Sequence, residues 1–365
     1  AVREILPLGE REEEWLRLAP KERAPLIGRF DMNVDPAVGA RSAQLLEFNG
    51  CAIGGLHYGP AASAAVLERV VPLDPAMKAA MPGSMTAAWL DHCRAHSKKH
   101  GRLHIVWLED RAWETGITEG PTLVEQLTRE GHKAAVCDPR DLVAEGGEIL
   151  HDGEPVDIVY RAIELRDLLA IEDESGPLVA LREAVKQNRV LSPLQGDLDH
   201  KSILEIWSSK KFAKLFAPAE RTLLARHVLW TRLVSARRTD DLDGKDVDLP
   251  AYVKKAKGRL VLKPLRACGG EGILIGKDTS QREWNKAVDA SVAGTEQAIV
   301  QRYIKSATIE SPVVRGGAGK VRHEKHFTTF GLYASPTTLG ILGRAAPFPV
   351  VNVSRGGGIL GVLIG

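Results

Sequence analysis

The chain has 365 residues, 44% of them apolar, which is enough to bury a large core divided among two or three domains. Its formal net charge of +2 argues against a global field that would attract nucleic acid or an anionic membrane. No run approaches the roughly 18 apolar residues of a membrane-spanning helix, and the cysteines form no C-x-x-C pair. We therefore expect a reduced, cytoplasmic protein without nucleic-acid or membrane partners.

The first elements expected along the chain are short and alternate in type. The charged segment EREEEWLRLA carries Trp15 on its apolar stripe, which is typical of an amphipathic helix. Two strands then flank a loop that contains proline and glycine. We predict a helix over 9–18, strands over 27–31 and 44–49, a turn over 50–60 and helices over 61–71 and 85–98.

Residues 103–163 have the pattern of a small open α/β domain with parallel strands. No G-x-G-x-x-G follows the first strand, so a dinucleotide site is disfavoured. We predict strands over 103–108, 132–138 and 158–163, a helix over 120–131 and a hairpin over 148–157 with Asp-Gly at its turn.

The remaining chain predicts helices first and strands afterwards, which gives an α/β (α+β) fold class. The acidic segment 239–248 is expected to be exposed. We predict helices over 178–187, 200–209 and 221–234, and strands over 259–264, 272–276, 298–304, 326–335, 337–345 and 350–354.

Two acidic segments near the N-terminus are spaced for a metal site. Arg29 and Asp31 lie two residues apart, as do Glu47 and Asn49, and such side chains share one face of a strand. Mg²⁺ prefers hard oxygen ligands and completes its shell with water and phosphate oxygens. We therefore predict a magnesium site formed by Asp31, Glu47 and Asn49 rather than a polar strand pair on a solvated face. Arg29 would neutralise phosphoryl charge.

Lys263 ends an apolar strand and precedes a glycine-rich turn. A buried ammonium is costly unless an anion pairs with it, and Gly269, Gly270 and Gly272 would let backbone N–H groups approach phosphate. The lysine precedes the glycines, so this is not the G-x-x-x-x-G-K-[ST] loop. Cys268 within the flap is expected to pack rather than react, since no histidine is near it in sequence.

Four other residues are candidates with an ordinary structural alternative. Lys201 begins a predicted helix and could equally be a surface lysine. Gln301 and Tyr303 lie on an apolar strand that could offer hydrogen bonds to adenine, although core packing alone also explains it. Arg344 lies on a β segment and could contact phosphate or a substrate carboxylate.

Together these motifs resemble the circularly permuted ATP-grasp family, in particular the synthetase domain of glutathionylspermidine synthase. The resemblance rests on R-x-D at 29–31, E-x-N at 47–49, HKS at 200–202, VLKP at 261–264 before the glycine flap, and DIVYRA at 157–162. It implies that Arg29 acts on the transition state and that Lys201 and Lys263 bind ATP. It also implies a small Rossmann-like pre-ATP-grasp domain.

The resemblance implies an ATP-dependent carboxylate–amine ligase that forms an amide through an acylphosphate. Expected cofactors are ATP and a pair of Mg²⁺ ions, and expected substrates are a small-molecule or peptide carboxylate and an amine acceptor. An ATP-dependent phosphotransferase and a non-catalytic nucleotide-binding scaffold stay open, as does the oligomeric state. The expected domains are 1–75 with the metal ligands, 76–190 as the α/β domain, and 191–365 with the ATP lysines and flap.

Overall fold

The computed structural model describes residues 2–20, 27–51, 53–80, 85–99, 101–112, 119–192, 194, 200–267, 269–314, 320–334 and 339–363. In this part of the chain the helices are α1 Val2–Ile5, α2 Glu10–Leu18, α3 Gly59–Val70, α4 Pro75–Ala79, α5 Met85–Ser97, α6 Gly120–Arg129, α7 Leu165–Ser175, α8 Val179–Lys186, α9 Ile203–Ser208, α10 Pro218–His227, α11 Leu249–Lys255 and α12 Gln281–Val292.

The strands of the described residues are β1 Gly28–Asn33, β2 Gln44–Asn49, β3 His104–Leu108, β4 Lys133–Cys137, β5 Val143–Glu145, β6 Glu148–His151, β7 Glu154–Pro155, β8 Ile158–Arg161, β9 Val190–Leu191, β10 Thr231–Leu233, β11 Arg238–Asp240, β12 Asp246–Asp248, β13 Leu260–Pro264, β14 Leu274–Ile275, β15 Ala298–Arg302, β16 Thr308–Val313, β17 Arg322–Ala334, β18 Leu339–Ala346 and β19 Gly358–Leu360.

Strands from opposite ends of the chain form one antiparallel sheet, which we call the composite sheet. Its order is β19–β18–β17–β1–β2, with β16 also paired to β17. Asp31 lies opposite Glu47 across β1 and β2, and Arg29 lies opposite Asn49. The early acidic segments are therefore neighbouring strands, and the pairing of β1 with β17 brings them beside the late part of the chain.

A second antiparallel sheet, the lysine sheet, carries Lys263. Its order is β10–β15–β13–β14. Helices α11 and α12 cover one face, where Val253, Trp284 and Val288 are fully buried together with residues of β13 and β15. This apolar packing fixes β13, so that the strand presents Lys263 at a defined position.

The predicted parallel α/β region is present as the sheet β4–β3–β8–β9, and the predicted hairpin is present as β6 and β7. Strands β3 and β8 are buried along their whole length, as expected for a parallel sheet with helices on both faces. One face packs on Trp15 and on helices α7 and α8, and the other packs on α5 and α6.

Some sequence predictions were wrong in detail. The helix predicted over 221–234 ends at His227, and Thr231–Leu233 instead pairs with β15, because the run VLWTRLV suits a strand as well as a helix. No strand forms over 350–354; a 3₁₀ turn covers Val353–Arg355 and β19 follows it. Helices α7, α11 and α12 were not predicted. The segment 239–248 contains a hairpin, β11–β12, and Asp241 within it is buried.

Among the helices of the described residues, none combines the length and apolar character that crossing a membrane requires.

Candidate active site

One cavity of about 510 Å³ lies between the composite sheet and the lysine sheet. Every described residue predicted from the sequence to act in catalysis, in metal binding or in ATP binding lines it, with the single exception of Gly272. These lining residues are Arg29, Asp31, Glu47, Asn49, Lys201, Lys263, Gly269, Gly270, Gln301, Tyr303 and Arg344. Residues far apart in sequence thus meet at one place.

An arginine centre, consisting of Arg29, Asp31 and Arg344, forms the floor on the composite sheet. Nε and Nη2 of Arg29 donate to the two oxygens of Asp31 at 2.8 and 3.0 Å, and Nη2 of Arg344 lies 2.8 Å from Oδ1. Asp31 is 2% exposed. Burial would raise the pKa of Asp31, but the two guanidinium groups outweigh it and lower the pKa to about 2.

The side-chain oxygens of Asp31, Glu47 and Asn49 are the candidate ligands for Mg²⁺. A carboxylate offers about four lone-pair sites, and those of Asp31 meet Arg29 twice, Arg344 once and the Asn49 amide nitrogen at 3.4 Å. Glu47 keeps 32% of its side chain exposed, and Asn49 keeps its amide oxygen as an acceptor. Glu47 and Asn49 therefore fit as ligands of a magnesium ion that also binds phosphate oxygens. Asp31 would bind such an ion only by giving up one of its present contacts with Arg29, Arg344 or Asn49.

Within the described residues no group of three or more His, Cys, Asp or Glu side chains is arranged to hold a metal ion.

The two predicted lysines face Glu47 from the other side of the cavity. Nζ of Lys263 donates to the Leu46 carbonyl at 2.9 Å, and Lys263 is 8% exposed. Burial lowers the pKa of Lys263 to about 8, although Glu47 opposes the shift. Nζ of Lys201 donates to the Ala267 carbonyl and lies 3.9 Å from Glu47. Both ammonium groups therefore donate to backbone carbonyls, and Lys201 also lies within ion-pair distance of Glu47.

The glycine flap has backbone conformations that need glycine. Gly269, Gly270 and Gly272 have φ angles of +65°, +76° and +66°, which side chains with a Cβ rarely adopt. A Cβ at Gly270 would lie 2.4 Å from Val350. The Gly270 carbonyl accepts a hydrogen bond from Nη1 of Arg355 at 2.9 Å, so the segment that follows β18 restrains the flap. Cys268 lies outside the described residues.

The apolar end of the cavity is next to β15. Gln301 lies between Thr231 and Val261 of the two neighbouring strands, and its side-chain nitrogen donates to the Thr231 hydroxyl at 3.1 Å. The N–H of Tyr303 donates to the Arg259 carbonyl at 2.7 Å. Sheet pairing therefore uses the backbone N–H groups that we expected to meet adenine. The cavity lining continues beyond β15 at Ile304 and Ser306.

Sequence analysis missed several residues that line the same cavity. Four of them, Glu164, Arg166, His200 and Arg266, come from the end of β8 and from the segments beside Lys201 and Lys263. The sequence could have indicated Glu164 and Arg166, because they follow a predicted parallel strand, β8, and ligands bind at the carboxyl ends of such strands. Burial and the nearby Arg266 and Lys201 lower the pKa of His200 to about 3, so it lines the cavity uncharged.

No family model matches this sequence, and no curated protein matches it. A glutathione synthetase-like effector from Globodera pallida has a similar structure, with a TM-score of 0.59 over 98% of this chain and 80% of that chain at 10% identity. A RimK-domain ATP-grasp protein from Sphaerobacter thermophilus matches 71% of this chain and 89% of that one, with a TM-score of 0.33 at 16% identity.

D-alanyl-alanine synthetase A from Vibrio cholerae matches 63% of this chain and 67% of that one, with a TM-score of 0.30 at 12% identity. The likeness to the effector over almost the whole chain shows the fold. The chain is a mixed α/β protein that shares the fold of this effector, and the structures similar to it include an ATP-grasp protein, in line with the sequence prediction. The circularly permuted order of its segments stays a prediction.

Proposed function

We propose that this chain is an ATP-dependent ligase that joins a carboxylate to an amine. The observation that carries the proposal is the convergence, in one cavity, of the arginine centre, Glu47, Asn49 and the two lysines beneath a glycine flap. The cavity lining contains seven lysine or arginine side chains and four carboxylates, an excess of positive charge that favours an anionic triphosphate. The ATP-grasp fold is compatible with this chemistry, and the specific reaction is our inference.

Lys201 and Lys263 would bind the phosphates of ATP by exchanging their carbonyl partners for phosphate oxygens. Glu47 and Asn49 would hold Mg²⁺, with Asp31 as a further predicted ligand, and the ion would neutralise phosphate charge when bound. The flap glycines would place backbone N–H groups over the phosphates, while Gln301, Tyr303 and the following segment would border the base.

In the proposed reaction a substrate carboxylate oxygen attacks the γ-phosphorus, and the bond to the β-phosphate oxygen breaks to release ADP. The amine nitrogen then attacks the acyl carbon, phosphate leaves, and the nitrogen loses a proton to give the amide. Arg29 and Arg344 would stabilise negative charge on the transferring phosphoryl group, and the cavity walls would limit hydrolysis by water.

We further propose that segments 1–75 and 191–365 form one ATP-grasp unit around the α/β region 76–190. The pairing of β1 with β17 supports this division, because the early strand is central to a sheet that the late strands build. It also supports the circularly permuted order implied by the sequence resemblance. The acid and the amine are to be identified by experiment, with peptide, amino acid and polyamine acceptors as candidates.

The test is an ADP-release assay with Mg-ATP across mixtures of carboxylates and amines, followed by mass spectrometry of the products. ADP release that requires both substrates, with an amide product, supports the ligase. A phosphorylated product without amine dependence indicates a phosphotransferase, and nucleotide binding without turnover indicates a scaffold. Lys263→Met should abolish release, whereas Lys254→Met, which removes an exposed lysine on α11, should not.

A further inference from the structure

Glu119 is a buried carboxylate that no step above uses. It is 7% exposed and immediately precedes helix α6, whose Leu123 and Leu127 are almost fully buried and anchor the helix start. Among the described residues no cation forms a salt bridge with Glu119. Burial raises the pKa of Glu119 to about 7, although three backbone N–H groups oppose the shift. A buried carboxylate without an ion partner is costly and calls for an explanation.

Among the described residues, the hydrogen-bond partners of Glu119 all belong to one loop, residues 53–58, which follows β2. Its Oε1 accepts the backbone N–H groups of Gly55, His57 and Tyr58 at 2.9, 3.3 and 3.3 Å. A single oxygen therefore gathers three donors and fixes the course of the loop. Gly55 has a φ of +87°, and a Cβ there would lie 2.5 Å from the Tyr333 hydroxyl, so the loop has little room to move.

One backbone carbonyl of the same loop, that of Gly54, contacts the arginine centre. The oxygen of Gly54 accepts from Nη1 of Arg29 at 2.7 Å and from the Tyr333 hydroxyl at 2.8 Å. Nε and Nη2 of Arg29 are held by Asp31, so Gly54 fixes the opposite corner of the guanidinium group. Within the described residues these contacts use three of the five N–H donors of Arg29, and two remain for a ligand.

We propose that Glu119 is a positioning residue that orients Arg29 through the backbone of residues 53–58. This inference rests on the proposed role of Arg29 in phosphoryl transfer. Glu119 supplies the loop with an acceptor, the loop supplies Arg29 with the Gly54 carbonyl, and the arginine keeps its free donors aimed into the cavity. Small errors in the aim of such a group reduce turnover more than substrate binding.

The first test is catalytic and uses ADP release with Mg-ATP. Glu119→Ala should lower kcat about 10- to 30-fold while the KM for ATP changes less than about twofold. Glu119→Gln keeps an oxygen acceptor and should stay within about threefold of the natural protein. The matched control is Glu109→Ala, because among the described residues Glu109 accepts a hydrogen bond from the Trp107 indole at 2.6 Å and none from the loop.

A double-mutant cycle separates positioning from a general structural role. Adding Glu119→Ala to Arg29→Ala should cause less than about a twofold further loss, because the group that it positions is gone. A full additional loss in the double variant, or a Gln variant as impaired as the Ala variant, would overturn the proposal.

A second test does not depend on the ligase reaction. In protein labelled with ¹⁵N-arginine, Glu119→Ala should speed solvent exchange of the Arg29 Nε–H at least about tenfold, while Glu109→Ala should not. The buried Arg232 Nε–H is the internal control. Faster exchange without any ADP release would retain the positioning role and reject the proposed function. Unchanged Arg29 exchange would reject the positioning role, whatever the reaction.

Discussion

The arginine centre and the two lysines differ in the partners that hold them. Arg29 lies on the same strand as the buried Asp31 carboxylate that it binds, and Arg344 binds that carboxylate from β18 of the same sheet. Lys201 and Lys263 come from separate segments and donate to backbone carbonyls. The arginine contacts join two opposite charges, whereas the carbonyls that accept from the lysine ammonium groups carry no net charge. The arginines therefore form a preassembled centre, whereas the lysines can exchange their partners for those of a ligand.

The largest effect on turnover is expected when Arg29, a member of the arginine centre, is replaced. Arg29→Ala should lower kcat by about 10³-fold, because a donor aimed at transferring phosphoryl charge acts mainly in the transition state. The Kd for Mg-ADP, measured by calorimetry, should change less than about threefold. Equal losses in turnover and nucleotide affinity would show that Arg29 binds nucleotide in the way the lysines do.

The next effect contrasts the two carboxylates that face each other across β1 and β2. Asp31→Asn leaves two buried guanidinium groups short of a counter-ion and should lower the free energy of unfolding by about 3 kcal/mol. Glu47→Gln, at a partly exposed position, should change that free energy by less than about 0.5 kcal/mol yet weaken Mg²⁺-dependent nucleotide binding. Urea denaturation of both variants measures the difference.

The pH dependence of stability sharpens the same contrast. The folded pKa of Asp31, about 2, lies below its ordinary value of 3.8, so its contribution is complete above pH 3.8 and is lost as pH falls through about 2. In the natural protein the free energy of unfolding should therefore lose this component at acid pH, and Asp31→Asn should lack it. An identical acid dependence in both would show that Asp31 is not held as described.

A smaller effect is expected at Lys263, whose pKa of about 8 makes it partly neutral in mild alkali. In the proposed function a nucleotide binds the ammonium form of Lys263, so above pH 8 binding takes up a proton. The Kd for Mg-ADP should rise about tenfold between pH 7 and pH 9. Calorimetry in buffers of different ionisation enthalpy measures the proton uptake. Lys263→Met should bind weakly at both pH values, and a similar pH dependence in that variant would assign the proton elsewhere.

Sequence patterns could predict the parts of the molecule that depend on neighbours along the chain. The alternation around Asp31 and Glu47 predicted two strands, and the apolar run before Lys263 predicted another. The grip of Arg344 on Asp31 could not be predicted, because it depends on the register of β1, β17 and β18 together. Strand β10 was missed for the same reason, since its partner β15 is distant in sequence.

The smallest effect is expected for Arg355, which follows β18 and contacts the glycine flap on the lysine side of the cavity. Nη1 of Arg355 donates to the Gly270 carbonyl in an exposed contact, and such a contact contributes about 0.5 to 1 kcal/mol. Arg355→Ala should raise the KM for ATP about two- to threefold, because the flap then samples open positions more often, and should leave kcat and Tm unchanged. Arg282→Ala, at an exposed position on α12, is the control. A loss of kcat comparable to that of Arg29→Ala would mean that the flap acts in the transition state as the arginine centre does. The proposed difference between the arginine centre and the lysine side of the cavity would then be wrong.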